Sequence, residues 1–297
     1  MKTSNLFRLL AAAPLAAALY LTAPAAEAAS GRISVKVGEQ TRSAFVIERY
    51  RSKRKLRPTI IVLGDAARVS TASRRGLRFQ NFVQRGGVLV YAEAAGGKWN
   101  VGASAAAPGE VAYLRALIAQ LRRNSLSDPR RIYLVGVGSG GIVSLQAACA
   151  DARLFAGVAA ALSSLPKDQP ARCQPSRPTA MMLIVGDADR RMPIRGGAAD
   201  LNSFKGEVAS AEETVQAFAR AAACSGKVIR TDLPDRDRTD ASRIVIERQG
   251  GCKASVRLVR IQGGGHFLPA QAIAGRGVRG QNRDITTTSL ITSLFKI

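Results

Sequence analysis

The sequence has few of the residues from which metal centres and nucleic-acid stacking surfaces are built. It contains one histidine, His266, and its four cysteines form no C-x-x-C pair. This composition predicts two disulfides in an oxidising compartment and no metal site or cofactor. Aromatic residues make up 5% of the chain and are not interleaved with basic ones, which argues against specific binding of nucleic acid.

Acidic residues are also scarce. The chain has 21 Asp and Glu against 44 Lys and Arg, a formal net charge of +23. Such a charge attracts polyanions, so an acidic polymer of the cell envelope is one expected partner. The basic residues are scattered, and their densest run, 51–57, lies between two strand-like segments, where a solvated hairpin turn would account for it.

The first 28 residues have the three-part layout of a secretory signal peptide. Lys2 and Arg8 precede an apolar stretch over 9–21, and small residues follow as far as Ala28. This layout predicts cleavage after Ala28 and export to the periplasm or the medium. The apolar stretch is short for a span of about 20 residues, so we expect no membrane span after cleavage. Residues 29–297 show no linker or repeat and are predicted to form one domain.

The apolar pattern of that domain predicts an α/β fold. Segments 33–37 and 44–50 alternate at period two and predict two antiparallel edge strands. Buried strands are predicted over 59–63, 87–91, 132–135, 157–162, 180–185 and 255–261. Helices are predicted over 77–85, 111–121, 141–150 and 290–295, and after a capping box formed by Ser210 and Glu213. Alternation of this kind predicts a mostly parallel sheet with helices on both faces.

Three predicted strand ends carry residues suited to hydrolysis. Ser139, Asp189 and His266 each follow a strand, and functional groups gather at the carboxyl ends of parallel strands. Their order along the chain is that of the nucleophile, acid and histidine of the α/β-hydrolase triad. In that mechanism Asp189 orients His266, and His266 accepts the proton of the serine.

Ordered motifs over nearly the whole mature chain resemble the secreted polyhydroxybutyrate-depolymerase and feruloyl-esterase-like proteins of the α/β-hydrolase superfamily. The motifs are DPRRIY at 128–133, CQPSRP at 173–178, GDAD at 186–189, MP at 192–193, LPD at 233–235, GGGH at 263–266 and RDI at 283–285, together with Cys149, Cys224 and Cys252. The resemblance implies Asp189 as catalytic acid and His266 as catalytic base. It also implies disulfides between Cys149 and Cys173 and between Cys224 and Cys252.

The chain departs from this family at the nucleophile elbow. The family has Gly-x-Ser-x-Gly, whereas this chain has Gly136-Val137-Gly138-Ser139-Gly140 in the same register, with glycine at the serine position. Ser139 is the candidate nucleophile if the elbow shifts by one residue through a strand bulge. Gly140 would then follow the nucleophile and supply one amide of the oxyanion hole.

A second departure lies in the loop that supplies the other oxyanion-hole amide. The family carries His-Gly there, and this chain has Gly64-Asp65 after Leu63. Asp65 is therefore the second candidate oxyanion-hole residue, and an inward carboxylate would repel an oxyanion.

Two functions of different class follow from the sequence. The first is a carboxylic-ester hydrolase that acts on a small ester or polyester through Ser139, Asp189 and His266 without a cofactor. The second is a non-catalytic relative that binds a small ligand or an acidic envelope polymer. The glycines at 136, 138 and 141 also satisfy G-x-G-x-x-G, but their depth in the chain and the export signal argue against a dinucleotide loop.

Overall fold

The main feature of the computed structural model is a ten-stranded sheet of order β1-β2-β4-β3-β5-β6-β7-β12-β11-β10. The structure describes residues 29–49, 56–65, 77, 79–102, 108–124, 126–270 and 278–297. The strands are β1 Ala29–Val37, β2 Gln40–Glu48, β3 Arg57–Leu63, β4 Val88–Ala92, β5 Ser127–Val137, β6 Gly157–Ala161, β7 Ala180–Gly186, β8 Gly197–Leu201, β9 Phe204–Val208, β10 Gly226–Asp232, β11 Arg243–Gly250 and β12 Val256–Gln262. The described α-helices are α1 Gln80–Gln84, α2 Pro108–Arg123, α3 Ser139–Ala150, α4 Ala211–Ala221 and α5 Thr287–Phe295.

The centre of the sheet is parallel and its two margins are antiparallel. Strands β4, β3, β5, β6, β7 and β12 run in one direction. At one margin β1 pairs with β2 and β2 with β4, and at the other β12 pairs with β11 and β11 with β10. Strands β8 and β9 form a separate hairpin. The predicted fold class is confirmed, because this is the sheet of an α/β-hydrolase fold.

The central strands are apolar because both of their faces are covered. In β4 every residue is buried, and in β3 all but Pro58 are. One apolar layer on the first face includes Leu117, Val143 and Phe218 from α2, α3 and α4. A second layer on the opposite face includes Phe82 and Leu290 from α1 and α5. Because the central strands are parallel, their carboxyl ends lie along one edge of the sheet, and the candidate site is at that edge.

The predicted elements are present with shifted boundaries, and one positional prediction is wrong. Strand β2 does not lie at the edge of the sheet, since it pairs with β1 on one side and β4 on the other. The capping box is formed, with the Ser210 hydroxyl accepting from the Glu213 amide. The sequence prediction missed β8 to β11, which are strands outside the parallel core.

Several predictions concern segments outside the described residues. These are the signal peptide at 1–28 and most of the basic run at 51–57; Arg57 opens β3, where it is buried against Glu48. None of the helices in the described ranges is long and apolar enough to cross a membrane.

Both disulfides implied by the family resemblance are confirmed. Cys149 at the end of α3 is bonded to Cys173. Cys224 and Cys252 are bonded to each other and flank the hairpin of β10 and β11, so that they join its two ends.

Candidate active site

The sharp turn between β5 and α3 is centred on Gly138. This residue has φ 55° and ψ −125°, a conformation that residues with a side chain rarely adopt. The glycines on both sides allow the backbone to pack closely: a Cβ on Gly136 would lie 2.4 Å from the carbonyl oxygen of Gly140, and a Cβ on Gly140 would lie 2.3 Å from that of Leu63. The turn therefore has the form of a nucleophile elbow, with glycine at the position of the nucleophile.

The structure does not contain the expected one-residue shift of the elbow, because the turn is centred on Gly138. Ser139 is the first residue of α3 and is fully buried. Its hydroxyl donates to Oδ1 of Asp65 at 2.9 Å and accepts from the Ser203 amide at 2.9 Å. In the described part of the chain no hydrogen bond joins Ser139 to His266. Ser139 thus lacks both the exposure and the contact with a base that a nucleophile needs.

The carboxylate of Asp65 lies where the side chain of an elbow nucleophile would stand. A Cβ on Gly138 would be 2.5 Å from both Cγ and Oδ1 of Asp65. Oδ1 also accepts from the amide of Ser139 at 2.9 Å. In an elbow of this kind, the amide after the nucleophile position is an oxyanion-hole donor. Asp65 therefore occupies that donor with its carboxylate.

The predicted oxyanion-hole pair is corrected accordingly. With the turn centred on Gly138, the donor position falls to Ser139 and not to Gly140. The side chain of Asp65 accepts hydrogen bonds in this arrangement, so a negative group faces the position where an oxyanion would form.

The turn of the β8–β9 hairpin holds Asp65 in place from the outside. The amide nitrogen Nδ2 of Asn202 donates to Oδ2 of Asp65 at 3.0 Å and to its carbonyl oxygen at 3.3 Å. The next residue, Ser203, donates its backbone N–H to Ser139. Within the described residues, the Asp65 carboxylate thus accepts three hydrogen bonds, two from Ser139 and one from Asn202.

A buried ion pair supports the other side of the same loop. Trp99 donates from Nε1 to the carbonyl oxygen of Gly64 at 2.7 Å, and its amide donates to Oγ of Ser203. The residue after it, Asn100, donates its amide to Glu110, which is buried and paired with Arg42 at 2.9 Å. The contacts that Trp99, Asn202 and Ser203 make with this loop were not predicted from the sequence. The polar pair Asn202-Ser203 between two short strands is a weak signal for a hairpin turn.

The acid and the histidine are brought together as the sequence predicts. Nδ1 of His266 lies 2.7 Å from Oδ2 of Asp189, whose side chain is buried. The second oxygen of Asp189 accepts from the amides of Arg191 and Met192 at 2.8 and 3.0 Å, which fixes the carboxylate. Within the described residues Nε2 of His266 has no hydrogen-bond partner. The pair can orient an imidazole whose outer nitrogen is free to contact a ligand.

Glycines allow the loop after β7 and the loop after β12 to approach each other closely. Asp189 follows β7 and His266 follows β12, which are adjacent parallel strands. A Cβ on Gly186 at the end of β7 would lie 2.2 Å from the carbonyl oxygen of Gly264, so that close approach requires glycine. Among the described residues, no cluster of three or more His, Cys, Asp or Glu could hold a metal ion.

The fold is that of the α/β-hydrolases, and the turn after β5 carries glycine at position 138. No protein-family model matches the chain. It is 32% identical over 171 residues to "Putative esterase NocK" of Nocardia uniformis subsp. tsuyamanensis, a match that covers 54% of this chain and 48% of that protein. It is 25% identical over 214 residues to feruloyl esterase B of Piromyces equi, covering 69% and 38%. The chain thus spans less than half the length of either relative.

Solved structures share the fold at low sequence identity. The acetyl xylan esterase of Aspergillus awamori matches with a TM-score of 0.62 and 11% identity, over 90% of this chain and 99% of that one. A prolyl endopeptidase matches with a TM-score of 0.53 and 14% identity, over 80% and 35%. The chain thus shares the fold of these enzymes and is similar in sequence to two esterases.

Proposed function

We propose that this protein is an esterase-like α/β-hydrolase that has lost the serine step and binds a ligand beside His266. One observation carries the proposal: Gly138 is at the elbow, and the carboxylate of Asp65 fills the space of the missing side chain. An acyl-enzyme cannot form at a glycine, and the neighbouring Ser139 is fully buried.

The electrostatics of the site support the same conclusion. The amide that would stabilise an oxyanion already donates to Asp65. A carboxylate about 4 Å from an oxyanion repels it by about 4 kcal/mol at an effective dielectric constant near 20, and loss of one donor slows such reactions roughly a hundred- to a thousandfold. Hydrolysis through an oxyanion is therefore disfavoured even if another group supplies the nucleophile.

The ordered pair of Asp189 and His266 favours a second candidate, an active carboxylic-ester hydrolase. The motif resemblance points to the polyhydroxybutyrate-depolymerase and feruloyl-esterase type, with a small ester or polyester as substrate. In this candidate Ser139 attacks the ester after leaving its hydrogen bonds to Asp65 and Ser203, and His266 takes its proton. The cost of breaking those contacts makes this the weaker candidate.

We also propose that the protein is exported to the periplasm or the medium. The N-terminal segment 1–28 supports export through its signal-peptide layout. The two disulfides support it as well, since disulfides persist in oxidising compartments.

Labelling with a fluorophosphonate probe tests the loss of the serine step. We expect no adduct on the wild type, on Gly138→Ser, in which the new side chain meets Asp65, or on Asp65→Gly, which has no nucleophile. The double variant Gly138→Ser/Asp65→Gly should be labelled at position 138, and adding His266→Ala should abolish the label. The double variant Gly138→Ser/Asp65→Gly should also hydrolyse p-nitrophenyl acetate about 100-fold faster than either single variant, because its oxyanion-hole amide is free.

A wild-type adduct on Ser139 that disappears in Ser139→Ala would overturn the proposal in favour of the active hydrolase. Because the chain has one histidine, the binding half can be tested separately by NMR of protein labelled with ¹⁵N-histidine. We expect methyl ferulate or a 3-hydroxybutyrate dimer to shift the Nε2 resonance of His266 in a saturable way. An unchanged resonance with both probes at millimolar concentration would remove them as ligands of this site.

A further inference from the structure

A polar groove lies at the β10 end of the sheet, away from the elbow. Its walls come from β10, β11, β12 and the segment that joins β10 to β11, and its volume is about 650 Å³. A smaller hollow of about 380 Å³ shares Asp235, Arg238, Arg243 and Gln262 with it and reaches Gly263, the first residue of the loop that carries His266. These volumes fall in the range of small-molecule sites.

Arginine side chains supply the donors of this groove. Arg230 is paired with Asp232 at 3.0 Å, and Arg243 with Asp235 at 3.2 Å. Arg238 is exposed, and no hydrogen bond or ion pair to it occurs in the described part of the structure. A guanidinium without a partner in a concave surface is available for a planar anionic group, which it binds through two parallel hydrogen bonds.

The groove also presents an acceptor without a donor. Among the described residues, Oδ1 of Asp235 has no hydrogen-bond partner and is buried, while its other oxygen accepts from Nε of Arg243 at 3.2 Å. Buried polar atoms are nearly always hydrogen-bonded, because an unpaired one loses its interaction with water and gains nothing in return. The missing partner of Oδ1 is a group with an O–H or N–H donor.

We propose that this groove binds an acidic oligosaccharide, with a uronate carboxylate on Arg238 and a sugar hydroxyl donating to Asp235. A uronate residue combines one carboxylate with several hydroxyl donors, which matches an unpaired guanidinium next to an unpaired carboxylate oxygen. The net charge of +23 draws such a chain to the surface. The proposal goes beyond the elbow chemistry and does not depend on it.

The lining of the groove disfavours nucleic acid as the occupant. None of the described residues that line it is aromatic, so unpaired bases have no surface on which to stack. Asp232 and Asp235 can accept from the hydroxyl groups of a sugar, whereas the phosphate groups of a nucleic acid offer them no donor.

Calorimetric titration of the whole protein with hexagalacturonate at 0.15 M salt tests the proposal. We expect saturable binding with one site, and no binding of maltohexaose, which has the hydroxyl groups but no carboxylates. Arg238→Gln should weaken binding roughly tenfold through loss of a charge-assisted pair. Arg122→Gln on α2, which packs beside β1 at the other end of the sheet, is the matched control and should leave the affinity unchanged.

The sign of the effect of Asp235→Asn separates a specific site from general attraction of polyanions. Removing a negative charge strengthens non-specific binding of an anion. At the proposed site the same change weakens binding about three- to tenfold, because the charged acceptor of the sugar hydroxyl becomes a neutral amide. Tighter binding by Asp235→Asn, an effect of Arg122→Gln equal to that of Arg238→Gln, or preferential binding of a single-stranded oligonucleotide at Arg238 would each overturn the proposal. Melting curves of each variant establish that it is folded.

Discussion

The two halves of the candidate site differ in how much of a serine hydrolase each retains. The half built on β7 and β12 holds Asp189 and His266 at 2.7 Å, with the carboxylate fixed by two backbone amides. The half built on β3 and β5 has the backbone of an elbow but carries Gly138 where the nucleophile would be. We call the first the preserved half, because it holds an acid and a histidine in hydrogen-bond contact, and the second the rebuilt half, because a glycine and a carboxylate lie where a serine hydrolase has its nucleophile.

The rebuilt half is consistent within itself. Asp65 can take its position only because Gly138 has no side chain, and its carboxylate in turn satisfies the amide and the hydroxyl of Ser139. The two departures from the family pattern are thus coupled, since the position of Asp65 requires glycine at 138. Gly138→Ser or Asp65→Gly alone is expected to lower the stability of the protein. Only the two substitutions together should produce the geometry of a working elbow.

The largest stability effect is expected at the elbow itself. Gly138→Ala should lower the free energy of unfolding by about 3 kcal/mol, through backbone strain at positive φ and overlap with Asp65. In the Asp65→Gly background the same Gly138→Ala change should cost only about 1–2 kcal/mol, the strain at positive φ, because the overlap is absent there. Chemical denaturation of the two variants measures the difference.

Gly38→Ala is the matched control for this prediction. Gly38 also has positive φ, at 57°, but a Cβ there would meet nothing within 4 Å. Its replacement should cost only about 1 kcal/mol, the strain of a left-handed alanine. Equal costs at the two positions would contradict the close packing of Asp65 on the elbow.

The sequence was sufficient to predict which residues meet in the preserved half, but not how the residues of the rebuilt half contact each other. Asp189 and His266 follow buried strands that are recognisable from their apolar runs, and parallel strands bring their carboxyl ends together. The contact between Asp65 and Ser139 depends on the direction of a side chain in a loop, which periodicity does not determine. The predicted elbow shift failed for the same reason: it assumed that the serine present must be the exposed one.

The strands that were missed belong to margins and insertions. Strand β10 is exposed along its whole length, so it has no apolar pattern to detect. The hairpin of β8 and β9 is short, and its turn acts on the site through Asn202 and Ser203. Burial therefore made the core predictable, while contacts made by exposed segments became visible only in the structure.

A smaller effect is expected from Asp189→Asn, which tests the preserved half. An asparagine oxygen can still accept from the amides of Arg191 and Met192, but its amide nitrogen then faces Nδ1 of His266 and donates to it. The histidine should change from the tautomer protonated at Nδ1 to the one protonated at Nε2, and the loss of a charged acceptor should cost about 1–2 kcal/mol of stability.

NMR of the single labelled histidine detects the tautomer directly. Asp187→Asn is the control, because Asp187 accepts from the amide of Gly263 in the same pair of loops without contacting the ring. It should leave the tautomer unchanged. An unaltered tautomer in Asp189→Asn would show that the geometry of the preserved half does not depend on this carboxylate.

The smallest effect is expected in the segment that supports the histidine loop. The amide of Gly265 donates to Gly280, and the amides of Gly280 and Arg283 donate to Asp240. Hydrogen bonds from the Arg283 guanidinium and the Thr239 hydroxyl hold the pKa of the nearby Asp237 carboxyl well below its usual value. This segment ties the preserved half to the 3₁₀ turn Arg238–Asp240.

The lowered pKa of Asp237 determines how the stability of the protein should depend on pH. Because the folded-state pKa of Asp237 is depressed, its contribution to stability is present above the unfolded value near 4 and is lost as the pH falls toward the folded one. Wild-type protein should therefore lose more melting temperature between about pH 5 and pH 2 than Asp237→Asn does. Asp232→Asn removes a comparable exposed pair with Arg230 on β10 and is the control.

The ¹⁵N resonances of His266 report on the histidine loop itself. In the wild type they should broaden in acid, and in Asp237→Asn they should already be broad at neutral pH. In Asp232→Asn at neutral pH they should remain sharp. Equal spectra for the two variants would mean that Asp237 does not support the histidine loop.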